Sequence, residues 1–287
     1  MKYYIVLEAV SPIAHGDTLT GVDNGSNIRL FMRTPVIVDG RKKRIPTLSE
    51  NSLRTVLFRK PLADDLLMSL GIQKDEPPKS VLNLLFSGGN LGKGAKAPGD
   101  QFALGKLVQS TYPMLELVSG CVDNFVLPQS RLRPTVWPLA QEFANSLKLV
   151  KAPKATIEKS KENSIYKLVD NEVRTRGTGE ESDGNQMLYE YEVMAIGTQF
   201  YLELNLDCNT SELAASAMAY ALEKWDGYFG GQGRQGRGRM VAIDSNLPNP
   251  RFYSDWLNKV ANDVDSKTKS GIIDGTLGTT KILCEVK

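Results

Sequence analysis

Alternation of apolar and polar residues gives the clearest strand signal in this chain. It runs through residues 199–206, where four apolar side chains would share one face of a β-strand: Phe200, Leu202, Leu204 and Leu206. Residues 187–196 have a similar strand-forming composition, and a Gly197-Thr198 pair separates the two halves. We therefore expect a β-hairpin over Met187–Asp207.

Three further segments are typical of strands. The β-branched and aromatic run Lys2–Val10 predicts a strand at the centre of a sheet. Thr34–Val38 followed by the basic Asp39–Arg44 predicts a short hairpin with a cationic tip. Thr280–Val286 predicts a final strand near the C-terminus.

The helical signals lie between these strands. Ser211–Trp225 predicts the strongest helix, with an N-cap at Ser211, and Asn249–Val264 predicts another. A third helix begins after Ser49 or Thr47, and we expect Pro61 to stop or kink it. The order of these elements favours an α+β chain with a ferredoxin-like or RRM-like sheet carrying large insertions.

The segment Tyr228–Met240, here called the glycine loop, links the predicted helix Ser211–Trp225 to a predicted strand. It contains five glycines, three arginines and no acidic residue. Glycine permits close backbone approach and arginine offers a fork of donors for phosphate, so this composition indicates a polyanionic ligand. Three of the glycines match the dinucleotide-binding pattern: Gly231, Gly233 and Gly236. That pattern needs a strand before it and a helix after it, whereas the predicted order here is the reverse. A disordered arginine-glycine segment is the other alternative to an ordered loop that contacts a nucleic-acid backbone.

Basic residues are concentrated although the net charge is only +2. Arg29–Lys60 contains nine basic and two acidic residues, and Lys148–Lys167 contains six lysines and two glutamates. This asymmetry indicates a basic face of the kind that binds nucleic acid, and unrelated solvated charge runs are the alternative. Arg131 and Arg133, two residues apart, would extend to the same face of a strand.

Composition also excludes several classes of protein. Three dispersed cysteines and the single histidine, His15, argue against a disulfide framework and against zinc or histidine-rich metal sites. The glycine-rich segment 87–99 lacks the spacing of a nucleotide-binding P-loop. The N-terminal apolar run is too short for a signal peptide, and no stretch has the apolar length of a membrane span. We expect a cytoplasmic protein with no metal, cofactor or membrane partner.

Three segments of this chain, in their order along the sequence, resemble the RAMP superfamily of CRISPR-associated proteins. The similar segments are SPIAHGD at Ser11–Asp17, the block Thr34–Arg59 with KRIPTLSENSLRTVLFR, and the glycine loop. The resemblance is to the repeating backbone subunits of class 1 effector complexes, possibly a type IV-like one. It implies a single domain over 1–287, with a ferredoxin-like palm, fingers-like insertions and a protruding thumb that we assign to Lys148–Gln186.

The resemblance also implies function and partners. Such a subunit binds the backbone of a guide RNA, stacks with copies of itself into a helical filament, contacts other CRISPR effector subunits, and presents the guide for pairing with a target nucleic acid. By position, the residues implied to contact RNA are Ser49, Asn51, Arg54, Gly231, Gly233, Arg234, Gly236 and Arg237. Charge and spacing add Arg33, Arg41, Lys42, Lys43, Arg44, Arg59, Arg131, Arg133 and Arg239.

One departure from the family bears on catalysis. Subunits that cut target RNA place an aspartate before a Ser/Thr-Pro-Val segment, and this chain has Arg33 there, with Asp23 as a candidate if the register differs. We therefore expect no catalytic activity. Two alternatives stay open: a metal-independent endoribonuclease that uses His15 as general acid or base, and a structural or protein-interaction domain whose basic face binds an acidic partner. His15 could equally contact a phosphate, cap an element or only pack.

Overall fold

The computed structural model describes residues 1–16, 28–38, 40–87, 109, 112–119, 130–176, 187–231, 233–263 and 267–273. The described strands are β1 (Lys2–Ala9), β2 (Ile28–Arg29), β3 (Arg33–Val38), β4 (Arg41–Pro46), β5 (Leu132–Pro138), β6 (Val169–Arg176), β7 (Met187–Met194), β8 (Gln199–Leu206) and β9 (Met240–Ser245).

The described α-helices are α1 (Glu50–Leu53), α2 (Lys60–Ser69), α3 (Lys79–Ser87), α4 (Pro113–Val118), α5 (Ala144–Leu149), α6 (Lys154–Ser160), α7 (Glu212–Lys224), α8 (Arg251–Asn262) and α9 (Lys267–Ile273). A π-helix, Arg54–Arg59, joins α1 to α2, and short 3₁₀ helices occur at Gln141–Phe143, Ile165–Lys167 and Gly233–Gln235.

The central sheet has the strand order β5-β8-β1-β9, and every neighbouring pair is antiparallel. Along the chain, β1 leads through α1 and α2 to β5, and β8 leads through α7 to β9. This is the β-α-β-β-α-β connectivity of a ferredoxin-like sheet, in which each helix crosses back over one face. The predicted α+β class is confirmed, and β1 is central as expected.

Most of the helices, including α2 and α7, cover one face of this sheet. Ile5, Leu7 and Ala9 of β1 are fully buried, as alternation along a strand requires. The four apolar residues predicted to share one face of β8 are all buried in the same core: Phe200, Leu202, Leu204 and Leu206. α7 begins at the predicted cap, Ser211, whose hydroxyl accepts a hydrogen bond from the Ala214 amide at 3.1 Å.

The hairpin predicted between β7 and β8 is wrong. β7 pairs with β6 in antiparallel register and with β2, whereas β8 pairs with β1 and β5. The turn at Gly197, whose φ is 83°, therefore carries the chain from one sheet to the other. The continuous apolar face of β8 is buried under the helices, and β7 contributes polar side chains such as Glu192 instead.

Pro61 does not stop the helix, because helical backbone continues to Ser69, and the helix expected over Ala63–Leu70 is present as part of α2. The Lys60 amide bonds to the Thr55 carbonyl, five residues back, as in a π-turn. Pro61 then lies in the first turn of α2, where a missing amide hydrogen is tolerated. The predicted helix Asn249–Val264 is confirmed as α8. The predicted strand Thr280–Val286 and Asp23 lie outside the described residues.

The segment Lys148–Gln186 includes α6 and β6 in its described part. Just before it, Leu147 of α5 packs with Ala152, Val6 and Tyr201 on the face of the central sheet opposite α7. β6 then forms an antiparallel ladder with β7. Its role as a protruding thumb stays a prediction.

Candidate nucleic-acid interface

The glycine loop is closed at its neck by backbone hydrogen bonds. The Met240 amide bonds to the Gly227 carbonyl at 2.7 Å, and the Phe229 amide bonds to the Gly238 carbonyl at 2.8 Å. Tyr228 and Arg239 form an isolated antiparallel bridge between these bonds. The loop therefore follows α7 and precedes β9, which is the reverse of the dinucleotide-binding order.

The loop docks onto the segment that leaves β1. The Gly231 amide bonds to the Ala14 carbonyl at 2.9 Å, and the Gly238 amide bonds to the Pro12 carbonyl at 2.8 Å. A β-carbon at Gly230 would lie 2.4 Å from the Ala14 carbonyl oxygen, and one at Gly238 would lie 2.1 Å from the Phe229 carbonyl oxygen. Both glycines have φ above 80°, so backbone contact and conformation each require glycine there.

The glycines named from the sequence pattern are less constrained. At Gly231 and Gly233 the atom nearest to an added β-carbon would be 3.9 and 3.8 Å away, and neither backbone is left-handed. Gly236 has a φ of 78° with open space around it. The positions that pattern matching selected are thus the ones with an open side, where another backbone could approach closely.

His15 connects the glycine loop to the first helix. Its imidazole lies 5.0 Å from the Phe229 ring and 5.9 Å from the Phe31 ring. Its Nε2 accepts a hydrogen bond from the Ser49 amide at 3.2 Å. Ser49 is the N-cap of α1 as predicted, and its hydroxyl accepts from the Ser52 amide at 3.3 Å. The glycine loop and the start of α1, which are far apart in sequence, therefore both contact His15.

The start of the helix carries Glu50, which is exposed at the surface although its carboxyl group is partly desolvated, and two neighbouring arginines. Burial raises the pKa of Glu50, while a hydrogen bond from the Val136 backbone and the charge of Arg54 act against this rise. Burial, and secondarily the charge of Arg54, lower the pKa of Arg59 to about 10. Arg59 is 7% exposed and donates to the Val118 carbonyl at 2.6 Å and to the Thr55 hydroxyl at 3.1 Å. It therefore faces the interior, whereas Arg54 is only partly buried.

Two other predicted arginines are held by carboxylates of the second sheet. Arg33 forms an ion pair with Glu192, whose other oxygen accepts from the Phe31 amide at 2.7 Å. Arg237 is 2% exposed, forms an ion pair with Glu172, and lies 5.3 Å above the Tyr191 ring. These pairs join the β3 strand and the glycine loop to the β6–β7 ladder.

Other predicted basic residues lie at the surface. Arg234 and Arg239 are exposed, and neither forms an ion pair within the described residues. Arg41, Lys42 and Arg44 are exposed on β4, with Lys43 partly buried, and β3 and β4 form the predicted basic hairpin. Asn51 is exposed and its side-chain oxygen accepts from Arg54 at 3.5 Å.

Arg131 and Arg133 are not brought to this site. Arg131 precedes β5 and pairs with Glu116 at 3.4 Å, and Arg133 is exposed on β5. Leu132 is opposite Leu206 at one end of the sheet, while the glycine loop meets Ala9 at the other end of β1. Seven residues of β1 span about 20 Å at the rise of a β-strand, so about this distance separates the two ends of the sheet.

On the face of the central sheet opposite α7, the middle aromatic ring is covered, which is unlike the open ring platform of an RRM sheet. The centres of the Tyr4 and Trp137 rings lie 5.7 and 6.1 Å from the centre of the Tyr201 ring. The three residues together form a row of aromatic rings across three strands. Tyr201 is only 1% exposed because Leu147 and Ala152 pack over it. Base stacking on Tyr201 is therefore blocked. The end of the sheet with the glycine loop has exposed arginines and open glycines, and we take it as the candidate interface.

Sequence reasoning did not single out the residues that anchor this site. Phe229, Glu172 and Glu192 hold His15, Arg237 and Arg33 in place. Glu192 lies in the alternating segment β7, which was the available signal, but its partner Arg33 is 159 residues away in sequence. Within the described part of the chain, no group of three His, Cys, Asp or Glu side chains is arranged to hold a metal ion. In that same part, no helix is both long and apolar enough to cross a membrane.

Comparison with known proteins adds one finding. No family model matches the sequence, and no curated protein matches it. Among solved structures, the chain is similar to one described as "Type IV-B CRISPR Complex", with a TM-score of 0.59 and 21% sequence identity. The match covers 92% of this chain and 100% of that chain. The chain therefore shares its fold with a chain of the Type IV-B CRISPR complex, which confirms at the level of the fold the resemblance found in the sequence.

Proposed function

We propose that this protein is a non-catalytic subunit of a CRISPR effector complex that binds the backbone of a guide RNA. It oligomerises along that RNA into a helical filament and presents the guide for pairing with a target nucleic acid. The observation that carries the proposal is the junction of the glycine loop with the N-terminus of α1 through His15. This junction occurs in a fold that the protein shares with a chain of a CRISPR complex.

The chemistry of this junction suits a ribose-phosphate strand. The exposed guanidinium groups of Arg234 and Arg239 have no acidic partner among the described residues. The open sides of Gly231 and Gly233 allow a ligand backbone to approach. None of these groups reads a base edge, so we expect affinity that depends on salt and little on RNA sequence.

The environment of His15 supports a non-catalytic role. A general base must accept a proton at a ring nitrogen lone pair, and the Nε2 lone pair already accepts the Ser49 amide hydrogen. We expect no cleavage of labelled repeat RNA in the presence of EDTA. Cleavage that disappears in His15→Ala would contradict the proposal.

The double variant Arg234→Gln/Arg239→Gln tests RNA binding. Each lost phosphate contact reduces the slope of log affinity against log salt by about 0.7 for a single strand, so the slope should fall by up to about 1.4. Arg251→Gln is the matched control. Arg251 is exposed at the start of α8, and its neighbour Phe252 lines a cavity with Met1, which lies at the end of β1 away from the glycine loop. Fluorescence anisotropy with a labelled RNA over a salt series gives both slopes. Equal slopes for the double variant and the wild type would refute the assigned contacts.

Assembly is tested separately. With an RNA long enough for several subunits, we expect size-exclusion chromatography with light scattering to give a mass of several protomers per strand. A mass of one protomer per strand would refute the filament. The length of RNA that co-purifies with the protein, together with its absorbance ratio, shows whether the guide is held before assembly.

A further inference from the structure

Tyr228 places an exposed aromatic ring at the neck of the glycine loop. Tyr228 is 40% exposed, whereas its neighbour in the chain, Phe229, is 2% exposed and belongs to the core. The backbone around it is fixed: its amide donates to the Asp226 carboxylate at 3.1 Å, and its carbonyl accepts from the Trp225 indole at 3.1 Å. The backbone that carries the ring is therefore fixed before any ligand binds.

Gly233 leaves this ring accessible. A β-carbon at Gly233 would lie 3.8 Å from the Tyr228 Cδ1 atom, so a larger side chain there would begin to cover the ring. Gly233 does not have a left-handed φ, and its neighbourhood is otherwise open. Neither backbone conformation nor crowding requires glycine at this position. Access to the ring is a physical reason for its small size.

Two cations flank the ring. Arg239 is directly opposite Tyr228 in the antiparallel bridge, and directly opposed residues extend to the same face. Arg234 follows Gly233 in the chain, and both arginines are exposed. An aromatic ring beside cations that have no acidic partner in the described chain is the combination that binds single-stranded nucleic acid, with stacking on bases and contacts to phosphates.

We propose that Tyr228 stacks against a nucleobase of the bound strand while Arg234 and Arg239 hold the adjacent phosphates. This inference rests on the proposed function and adds to it a base-contacting residue. Stacking needs only the flat face of a base, so the contact tolerates any sequence, which fits a subunit that must accept any guide.

The test is a cycle between a protein variant and an altered RNA. Affinities of wild type, Tyr228→Ala and Tyr228→Phe are measured by fluorescence anisotropy for a short single-stranded RNA and for the same RNA with abasic sites. Stacking predicts that Tyr228→Ala weakens binding of the intact RNA about 5-fold or more, and changes binding of the abasic RNA less than about 2-fold. Tyr228→Phe keeps the ring and should bind the intact RNA like wild type. A single-stranded DNA of the same sequence should show the same loss with Tyr228→Ala, because the proposed contact is to the base.

Two results would overturn the inference while leaving RNA binding intact. One is an equal loss for intact and abasic RNA, which would show that Tyr228 supports the loop and does not contact a base. The other is no loss for the intact RNA in Tyr228→Ala. A wild-type protein that binds neither RNA at low salt would refute the proposed function and this inference with it. Thermal melting of each variant by circular dichroism verifies that the fold is kept.

Discussion

The substitution Gly238→Ala tests whether the glycine loop is built as the structure shows. The added β-carbon would lie 2.1 Å from the carbonyl oxygen and 3.1 Å from the carbonyl carbon of Phe229. Both are backbone atoms, so no side chain can rotate away to make room. Gly238 also has a φ of 83°, which costs an L-residue about 1–2 kcal/mol.

Relief of this overlap would break the loop's own hydrogen bonds. Gly238 accepts from the Phe229 amide and donates to the Pro12 carbonyl, both at 2.8 Å. Each bond contributes about 0.5–1.5 kcal/mol, so with the conformational cost the total destabilisation is about 2–5 kcal/mol. At about 2–4 °C per kcal/mol, this lowers the melting temperature by about 4–20 °C.

The assay is thermal denaturation followed by circular dichroism, with Gly231→Ala as the matched control. At Gly231 the backbone is not left-handed, and the nearest atom to an added β-carbon is the Ala14 carbonyl oxygen at 3.9 Å. The free energy of unfolding of this control should therefore stay within about 1 kcal/mol of that of the wild type. If Gly238→Ala melts at the same temperature as Gly231→Ala, the docking of the loop described above is incorrect.

The remaining predictions concern buried polar groups and pH. The Tyr253 hydroxyl is buried without a hydrogen-bond partner among the described residues, so Tyr253→Phe should raise the free energy of unfolding by about 1–2 kcal/mol. Tyr220→Phe should lower the free energy of unfolding by about 1.5–3 kcal/mol, because the Tyr220 hydroxyl donates to the buried Asp65 carboxylate at 2.6 Å. Urea denaturation measures both changes, and a shift of both variants in the same direction would contradict this account. Burial raises the pKa of Glu50 above its ordinary 4.5, so the stability linked to this group is present below pH 4.5 and is lost as the pH rises through the folded-state pKa. Glu50→Gln should therefore be more stable relative to wild type at pH 7 than at pH 4, and a difference that does not change with pH would refute the assignment.

Local signals in the sequence predicted much of the central sheet. Period-2 alternation identified the buried face of β8, and the caps Ser49 and Ser211 marked where two helices begin. The order of α7, glycine loop and β9 was enough to reject dinucleotide binding. These features depend on backbone geometry and side-chain chemistry within a few residues, which a single sequence contains.

Pairing and burial were decided by the tertiary structure. Alternation tells which face of a strand is buried but not which strand lies beside it, and so β7 was assigned to the wrong partner. Arg237 looked like a surface cation, yet Glu172, 65 residues away, holds it in the interior. Arg33 is paired in the same way with Glu192, 159 residues away.

The sequence by itself determined the residue types of the site: glycines that allow close approach, arginines for phosphate, and a capped helix start. Only the tertiary structure decided which of them meet. It joined the glycine loop to Ser49 through His15, left Arg234 and Arg239 exposed, and placed Arg131 and Arg133 at the other end of the sheet. The physical reason is that the exposure and pairing of a charged side chain depend on groups brought together by long-range packing, which no local pattern encodes.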